Sequence, residues 1–420
     1  MITLGYSTGK IISLTCLNPP ARVGTHPRVV LYSLPKEVLN RMSLPIFKEI
    51  RPAYGFDEVS IVPGEVTINP EMASTQMTIG PHSFDIPILA SAMDAVVSPT
   101  FAGLLAKKGG VGVLNLEGIY TRYQNPSSIL ESIISSPPDK VTTVFQEIYA
   151  EPIQENLIAT CIKEIKASGA IAAVSVTPQS TKRLGQIAVE AGADILFVQS
   201  TVTTARHNSR SYKGLVLPEL IAETKIPIIV GNCVGYNTAL ELMRTGVNGI
   251  LVGVGPGAAC TTREVVGVGV PQVTATINCA AARDTYFKET GKYVTVITDG
   301  GIRTGGDMCK AIVAGADGVM IGTPFAQSIE SPGRGFNWGM ASPHPELPRG
   351  TRINVGTTGS LHQLLYGPTS KTNGTQNLVG ALKVAMGMCG AFNITDMHRA
   401  EMVIAPSIKT EGKIFQLSHQ

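Results

Sequence analysis

A (β/α)8 barrel is the fold this chain encodes, on three grounds: eight short apolar runs follow one another from Ile88 onward, each run ends in glycine or polar residues, and amphipathic stretches separate them. Apolar continuity marks strands buried on both faces, as in a parallel sheet. Helices between such strands are the crossovers that parallel pairing requires. A doubly wound open sheet is the runner-up. With 420 residues, 44% of them hydrophobic, the chain has core enough for one large α/β barrel.

Residues 1–47 stand apart as an N-terminal extension. No acidic residue precedes Glu37, and the short apolar patches keep no period. A targeting peptide, a disordered arm and sequence upstream of a true start at Met42 all remain open readings. Residues 48–420 are assigned to the barrel. Its strands are expected at Ile88–Ala92, Gly110–Leu114, Ala172–Val176, Ile195–Val198, Ile226–Val230, Gly249–Val254, Val294–Thr298 and Gly318–Ile321.

Apolar residues three and four apart predict helices over Thr160–Ser168, Thr181–Ala191, Thr238–Thr245, Asn278–Thr290 and Gly306–Ala314. Three of these end at glycine, in Ala191-Gly192, Thr245-Gly246 and Ala314-Gly315, where a left-handed stop is expected. After the eighth strand, residues 331–377 are rich in Pro and Gly and too long for a passive connection. They read as a mobile flap.

Composition narrows the function. A net charge of +3 with scattered Lys and Arg gives no basic face for nucleic acid. No apolar run reaches the roughly 18 residues of a membrane span. The seven cysteines are odd in number and show no CxxC or zinc-ligand spacing, which points to reduced thiols in a cytoplasmic setting. A small-molecule ligand is the remaining class.

The sixth run ends in GPGAACTTR, Gly255 to Arg263. An isolated cysteine after a strand is more often packing than chemistry. Here glycines bring backbone close to a ligand and a polar Thr-Thr-Arg follows, so Cys260 reads as an accessible nucleophile. The seventh and eighth runs end in Asp299-Gly300-Gly301 and Gly322-Thr323, where barrel enzymes often bind phosphate through backbone N–H groups. Turn glycines and a helix cap are the bland alternatives. Together the motifs favour a phosphorylated, ribose-bearing ligand, with Asp299 accepting from the sugar hydroxyls.

From about Tyr54 to Lys413 the chain resembles the inosine monophosphate dehydrogenase and guanosine monophosphate reductase family. The resemblance rests on SAMD at Ser91 to Asp94, GVGPGAACTTR at Gly253 to Arg263, GVGVPQ at Gly267 to Gln272, DGGIRTGGD at Asp299 to Asp307, IGT at Ile321 to Thr323, ESPG at Glu330 to Gly333, and LVGALKVAMGMCGA at Leu378 to Ala391. It implies that Cys260 attacks C2 of a purine nucleotide to form a thioimidate, with Thr262 activating the departing or attacking group. It implies a nucleotide site of Ser91, Met93, Asn232, Asp299, Gly301, Gly322 and Thr323, with Gly339, Met340 and Ala341 over the purine edge.

The resemblance also implies NADP or NAD near Gln199, Ser200 and Asn232. Potassium would be held by Gly255, Gly257 and Cys260, with Glu411 and Gly412 of a neighbouring subunit completing the site in a homotetramer or octamer.

The chain departs from the family in four ways. There is no room after Gly118 for the regulatory modules that dehydrogenases usually carry, and residues 331–377 contain Arg349 and Arg352 but no Arg-Tyr pair to activate water. By an ungapped count the flap's Glu or Gln falls at Thr358, whose hydroxyl cannot replace a carboxylate, leaving Glu346 or His344 as substitutes. Gln199 stands where family members have an Asp for the cofactor ribose. The combination resembles the family's third branch. It favours GMP reductase, with IMP dehydrogenase as the alternative and a catalytically weak nucleotide sensor less favoured still.

Overall fold

The computed structural model describes residues 6–7, 10–11, 49–208, 214–339 and 352–405. The chain forms two units, Met1–Pro52 and Ala53–Gln420. In the first, Tyr6–Ser7 pairs antiparallel with Lys10–Ile11. The other residues of the 1–47 extension lie outside the described set, as do Met340, Ala341, His344, Glu346, Arg349, Glu411 and Gly412.

The second unit is a closed barrel of eight parallel strands: β1 Ile88–Ala90, β2 Val111–Asn115, β3 Ala173–Val176, β4 Ile195–Gln199, β5 Ile228–Cys233, β6 Gly249–Val252, β7 Thr295–Asp299 and β8 Gly318–Ile321. Neighbours pair in chain order, and β8 closes on β1 through Val319 opposite Ile88 and Ile321 opposite Ala90. Because strand side chains alternate in direction, one register set fills the barrel and the other faces the helices. Leu89, Val113, Phe197, Leu251, Ile297 and Met320 pack inside. Ile88, Leu114, Leu196, Ile250, Val296 and Ile321 join the surrounding helical layer.

The antiparallel hairpin Met77–Ile79 with His82–Phe84 closes the floor, its Met77, Ile79 and Phe84 packing into the inner cluster. The opposite end, at the carboxyl ends of the strands, is left for ligands.

Element edges depart from the sequence reading where proline or polar residues sit. β5 begins at Ile228, after Pro227, which has no N–H to pair, and it runs on to Cys233. β6 stops at Val252, because Gly253 at φ 148° turns the chain away. The stretch expected as Thr181–Ala191 opens as a π turn over Thr181–Gly185 before the α-helix Gln186–Glu190.

The helix expected at Asn278 starts at Gln272, just beyond Pro271, and the one expected at Thr160 starts at Glu155. Among the helices with no counterpart in the sequence reading, four lie between barrel strands: Pro99–Ala106, Pro126–Ser135, Val141–Ala150 and Leu217–Glu223. Three of them carry proline in their first turn, where its missing N–H costs nothing.

Both arms of the 331–377 segment are ordered structure. Phe336–Asn337 pairs antiparallel with Ile353–Asn354, and a capping box between Ser360 and Gln363 starts the helix Leu361–Tyr366. Residues 340–351 lie outside the described set.

Candidate active site

At the carboxyl ends of the strands lies a cavity of about 850 Å³. Its wall includes fourteen residues singled out in the sequence: Ser91, Met93, Gln199, Ser200, Asn232, Gly255, Gly257, Cys260, Thr262, Asp299, Gly301, Gly322, Thr323 and Gly339. Thr358 is not among the lining residues. Its N–H donates to Gln327 O at 2.8 Å, its carbonyl accepts from Gln376 at 2.9 Å, and its hydroxyl is buried without a partner. The hydroxyl at that position therefore belongs to the packing of the flap arms.

The loop after β6 carries the nucleophile candidate. Glycine is needed at its start, because a Cβ on Gly253 would lie 2.3 Å from the Asp299 carbonyl, and one on Gly255, at φ 79°, would lie 2.4 Å from Arg263 Cγ. Arg263 then staples the loop to itself, donating to Val254 O at 3.3 Å and to Val270 O at 2.6 Å. Cys260 is exposed to the cavity. Its thiol donates to Thr262 Oγ1 at 3.2 Å and its N–H to Gly257 O at 3.0 Å.

Facing this loop, the ends of β4, β5 and β7 converge on one carboxylate. Asp299 Oδ2 accepts from Asn232 Nδ2 at 2.8 Å and from Gln199 Nε2 at 3.0 Å. The Gln199 amide also reaches Asn232 Oδ1 at 3.3 Å, and its carbonyl accepts from Ser175 Oγ at 3.4 Å. Asp299 keeps an edge toward the cavity, yet burial pushes its carboxyl up to about 6, and the two amide donors pull only partly the other way. Gln199 thus joins the Asp299 cluster and is buried.

Four cavity-lining residues, Gln272, Glu117, Arg122 and Asn337, were not assigned roles from sequence. Gln272 donates from Nε2 to Val252 O at 2.6 Å and to Asp299 O at 3.1 Å, tying the ends of β6 and β7 together. Glu117, at the end of β2, accepts from Thr177 N–H at 2.5 Å and from Ser180 Oγ at 2.6 Å, while Arg122 Nε donates to its carbonyl at 3.2 Å. Asn337 donates to Thr323 Oγ1 at 3.2 Å and leaves its own carbonyl oxygen buried without a partner. Gln272 closes the GVGVPQ motif, and Glu117 lies two residues beyond β2. Arg122 and Asn337 had no local signal.

Beside Gly301, Arg303 is held by Asp57 at 2.7 Å and Asp307 at 3.0 Å. A second, smaller cavity of about 380 Å³ between the helices Pro99–Ala106, Pro126–Ser135 and Glu155–Ala167 shares no lining residue with this one.

No helix among the described residues is long and apolar enough to cross a membrane. Comparison with known proteins adds the ancestry. Residues 53–342 match the family profile described as "IMP dehydrogenase / GMP reductase domain". An "uncharacterized oxidoreductase" of Mycobacterium leprae is 38% identical, over 84% of this chain and 97% of that protein. An inosine-5'-monophosphate dehydrogenase of Borreliella burgdorferi is 31% identical, over 89% and 96%. A solved structure of an "IMP dehydrogenase/GMP reductase-like protein" from Corynebacterium glutamicum superposes with a TM-score of 0.81 at 34% identity, covering 86% of this chain and 96% of that one.

Proposed function

The chain belongs to the IMP dehydrogenase / GMP reductase family, an oxidoreductase family, and we propose that it performs NAD(P)-dependent redox chemistry at C2 of a purine nucleotide through a covalent bond to Cys260. One observation carries the reading: the Cys260 thiol, 3.2 Å from Thr262, shares one cavity with the amide-flanked carboxylate of Asp299. Asp299 accepts from the ribose hydroxyls, its position fixed by Asn232 and Gln199. Backbone of Gly301 and Gly322 with the Thr323 hydroxyl takes the 5′-phosphate. Ser91, Met93 and Gly339 bound the nucleotide, and Met340 and Ala341 are assigned with them to the purine edge.

The Cys260 thiol gives up its proton toward the Thr262 hydroxyl or solvent as its sulfur adds to C2. In the dehydrogenase direction, C2 of IMP loses hydride and becomes a thioimidate; water then adds at C2, a proton leaves, and the C–S bond breaks to give XMP and the free thiolate. In the reductase direction, ammonia leaves C2 of GMP as the thioimidate forms, hydride then adds at C2, and the thiolate leaves to give IMP. The nicotinamide cofactor accepts or delivers that hydride when bound. Gln199, Ser200 and Asn232, with Asn115, Glu117 and Thr201 on the same stretch of wall, would hold its ribose and carboxamide.

We place IMP oxidation first, because relatives over nearly their full length are named IMP dehydrogenases. The missing Arg-Tyr pair favours GMP reduction as the second reading. A side-by-side assay of IMP with NAD⁺ and GMP with NADPH decides. XMP formation alone establishes the first, IMP and ammonia alone the second, and neither rejects both in favour of a nucleotide sensor.

Potassium fits this loop in part. Gly257 O already accepts the Cys260 N–H, leaving one lone pair for an ion beside the Gly255 and Cys260 carbonyls, and Glu411 and Gly412 of a neighbouring subunit are assigned as the remainder. The family resemblance implies a homotetramer or octamer, in which a neighbouring subunit would supply those residues. Rates in K⁺ against Na⁺ and the mass in solution test both.

A further inference from the structure

Two helices between β2 and β3, Pro126–Ser135 and Val141–Ala150, pack against the arms of the 331–377 segment. Arg334 pairs with Glu131 at 2.7 Å. Arg352 lies over the Phe336 ring and donates to Ile134 O at 3.0 Å and Ser136 O at 2.8 Å, the carbonyls at the C-terminal end of the first helix. From the second helix, the Phe145 ring packs on Trp338 with centroids 5.8 Å apart.

Within that contact one hydroxyl has an unusual position. Tyr149 Oη donates to Asp94 Oδ2 at 2.7 Å and accepts from Trp338 Nε1–H at 3.0 Å. Asp94 directly follows Met93, and Trp338 stands between Asn337 and Gly339; Met93, Asn337 and Gly339 all line the cavity. Asp94 is itself fixed by the Ile119 N–H at 3.0 Å.

The first part of the flap arm is held independently, since Ser331 Oγ and Gly333 N–H both donate to Ala95 O. Beyond Gly333 the tie to the β1 side runs through Tyr149. We propose that Tyr149 is a positioning residue of this cavity, its hydroxyl joining the Ser91–Met93 wall to the Asn337–Gly339 wall so that both meet the nucleotide at a fixed separation. The inference rests on the purine-nucleotide reading for its ligand and is indifferent to the direction of the reaction.

Trp338 is the chain's single tryptophan, so intrinsic fluorescence reports on this junction directly. IMP and GMP are titrated without cofactor into the unaltered protein, Tyr149→Phe and Phe145→Leu. Tyr149→Phe is expected to shift the Trp338 emission, to raise the nucleotide Kd and KM about tenfold, and to leave kcat within about threefold, the pattern of lost uniform binding. Phe145→Leu loosens the same helix against the same indole but keeps the hydroxyl, and its Kd is expected to stay within about threefold of the unaltered protein.

An unchanged Kd in Tyr149→Phe, or an equal rise in Phe145→Leu, overturns the assignment while leaving the proposed function standing. Failure of the unaltered protein to bind either nucleotide overturns both.

Discussion

The two sides of the cavity are built in opposite ways. On one, Asp299 is gripped by the Asn232 and Gln199 amides, Gln199 is braced by Ser175, and the Asp299 backbone is held by Gln272. On the other, Cys260 is exposed on a glycine-rich loop, and the hydrogen-bond partner of its thiol among the described residues is the Thr262 hydroxyl. Binding groups gain from being fixed in advance, because ordering them then costs nothing when substrate arrives. A nucleophile that bonds to and leaves its substrate in each turnover needs access and room to move. The division assigns affinity to β4, β5 and β7, and rate to the β6 loop.

Substitutions on the two sides are therefore expected to separate. Cys260→Ala should lower kcat by about 10⁴-fold or more while the nucleotide Kd, measured by equilibrium dialysis, moves less than about threefold. A large loss of binding in that variant would break the division. Asp299→Ala leaves two buried amides without their acceptor and should raise the nucleotide Kd about a hundredfold, with a lowered Tm. Thr262→Val removes the thiol's partner and should reduce kcat by about ten- to a hundredfold at nearly constant KM, read from steady-state kinetics.

The smallest effect is in pH. With its carboxyl raised to about 6, Asp299 is charged above that value, so nucleotide affinity should weaken severalfold as pH falls through it. Stability runs the other way. The folded state holds this proton more tightly than the unfolded chain, so the group's contribution is fully present below the ordinary carboxylate range and is lost as pH rises through about 6. In Asp299→Asn the pH dependence of Kd should flatten across this window, as titration calorimetry at several pH values can establish.

The barrel was legible because its strands are buried on both faces and read as continuous apolar runs. The edges were not, where Pro227 delays β5 and where Gln199, Asn232 and Asp299 continue strands past their apolar parts. Helices beginning at Pro99 and Pro126 escaped because proline reads locally as a breaker although it suits a first turn. The cavity was legible where glycine motifs mark close backbone approach. Arg122, Asn337 and Tyr149 were not, since no motif marks them and partners that hold them, Glu151, Thr323 and Trp338, lie 29, 14 and 189 residues away. Thr358, where an ungapped count puts the flap's Glu or Gln, is drawn by packing into the flap arms, so position along the chain alone did not show where that residue lies.

Gln272 has a consequence for how the molecule can change. Its side-chain amide bridges Val252 O and Asp299 O, so the excursion 253–271, which leaves the wall after Val252 and ends at the first residue of the helix Gln272–Thr290, has its far end tied back to the ends of β6 and β7. The nucleophile is thereby carried on an exchangeable cassette. Apart from Gly253, Gly255 and Gly269, whose close contacts leave no space for a side chain, residues of the loop are expected to tolerate replacement while Gln272 keeps the sugar-facing carboxylate in register.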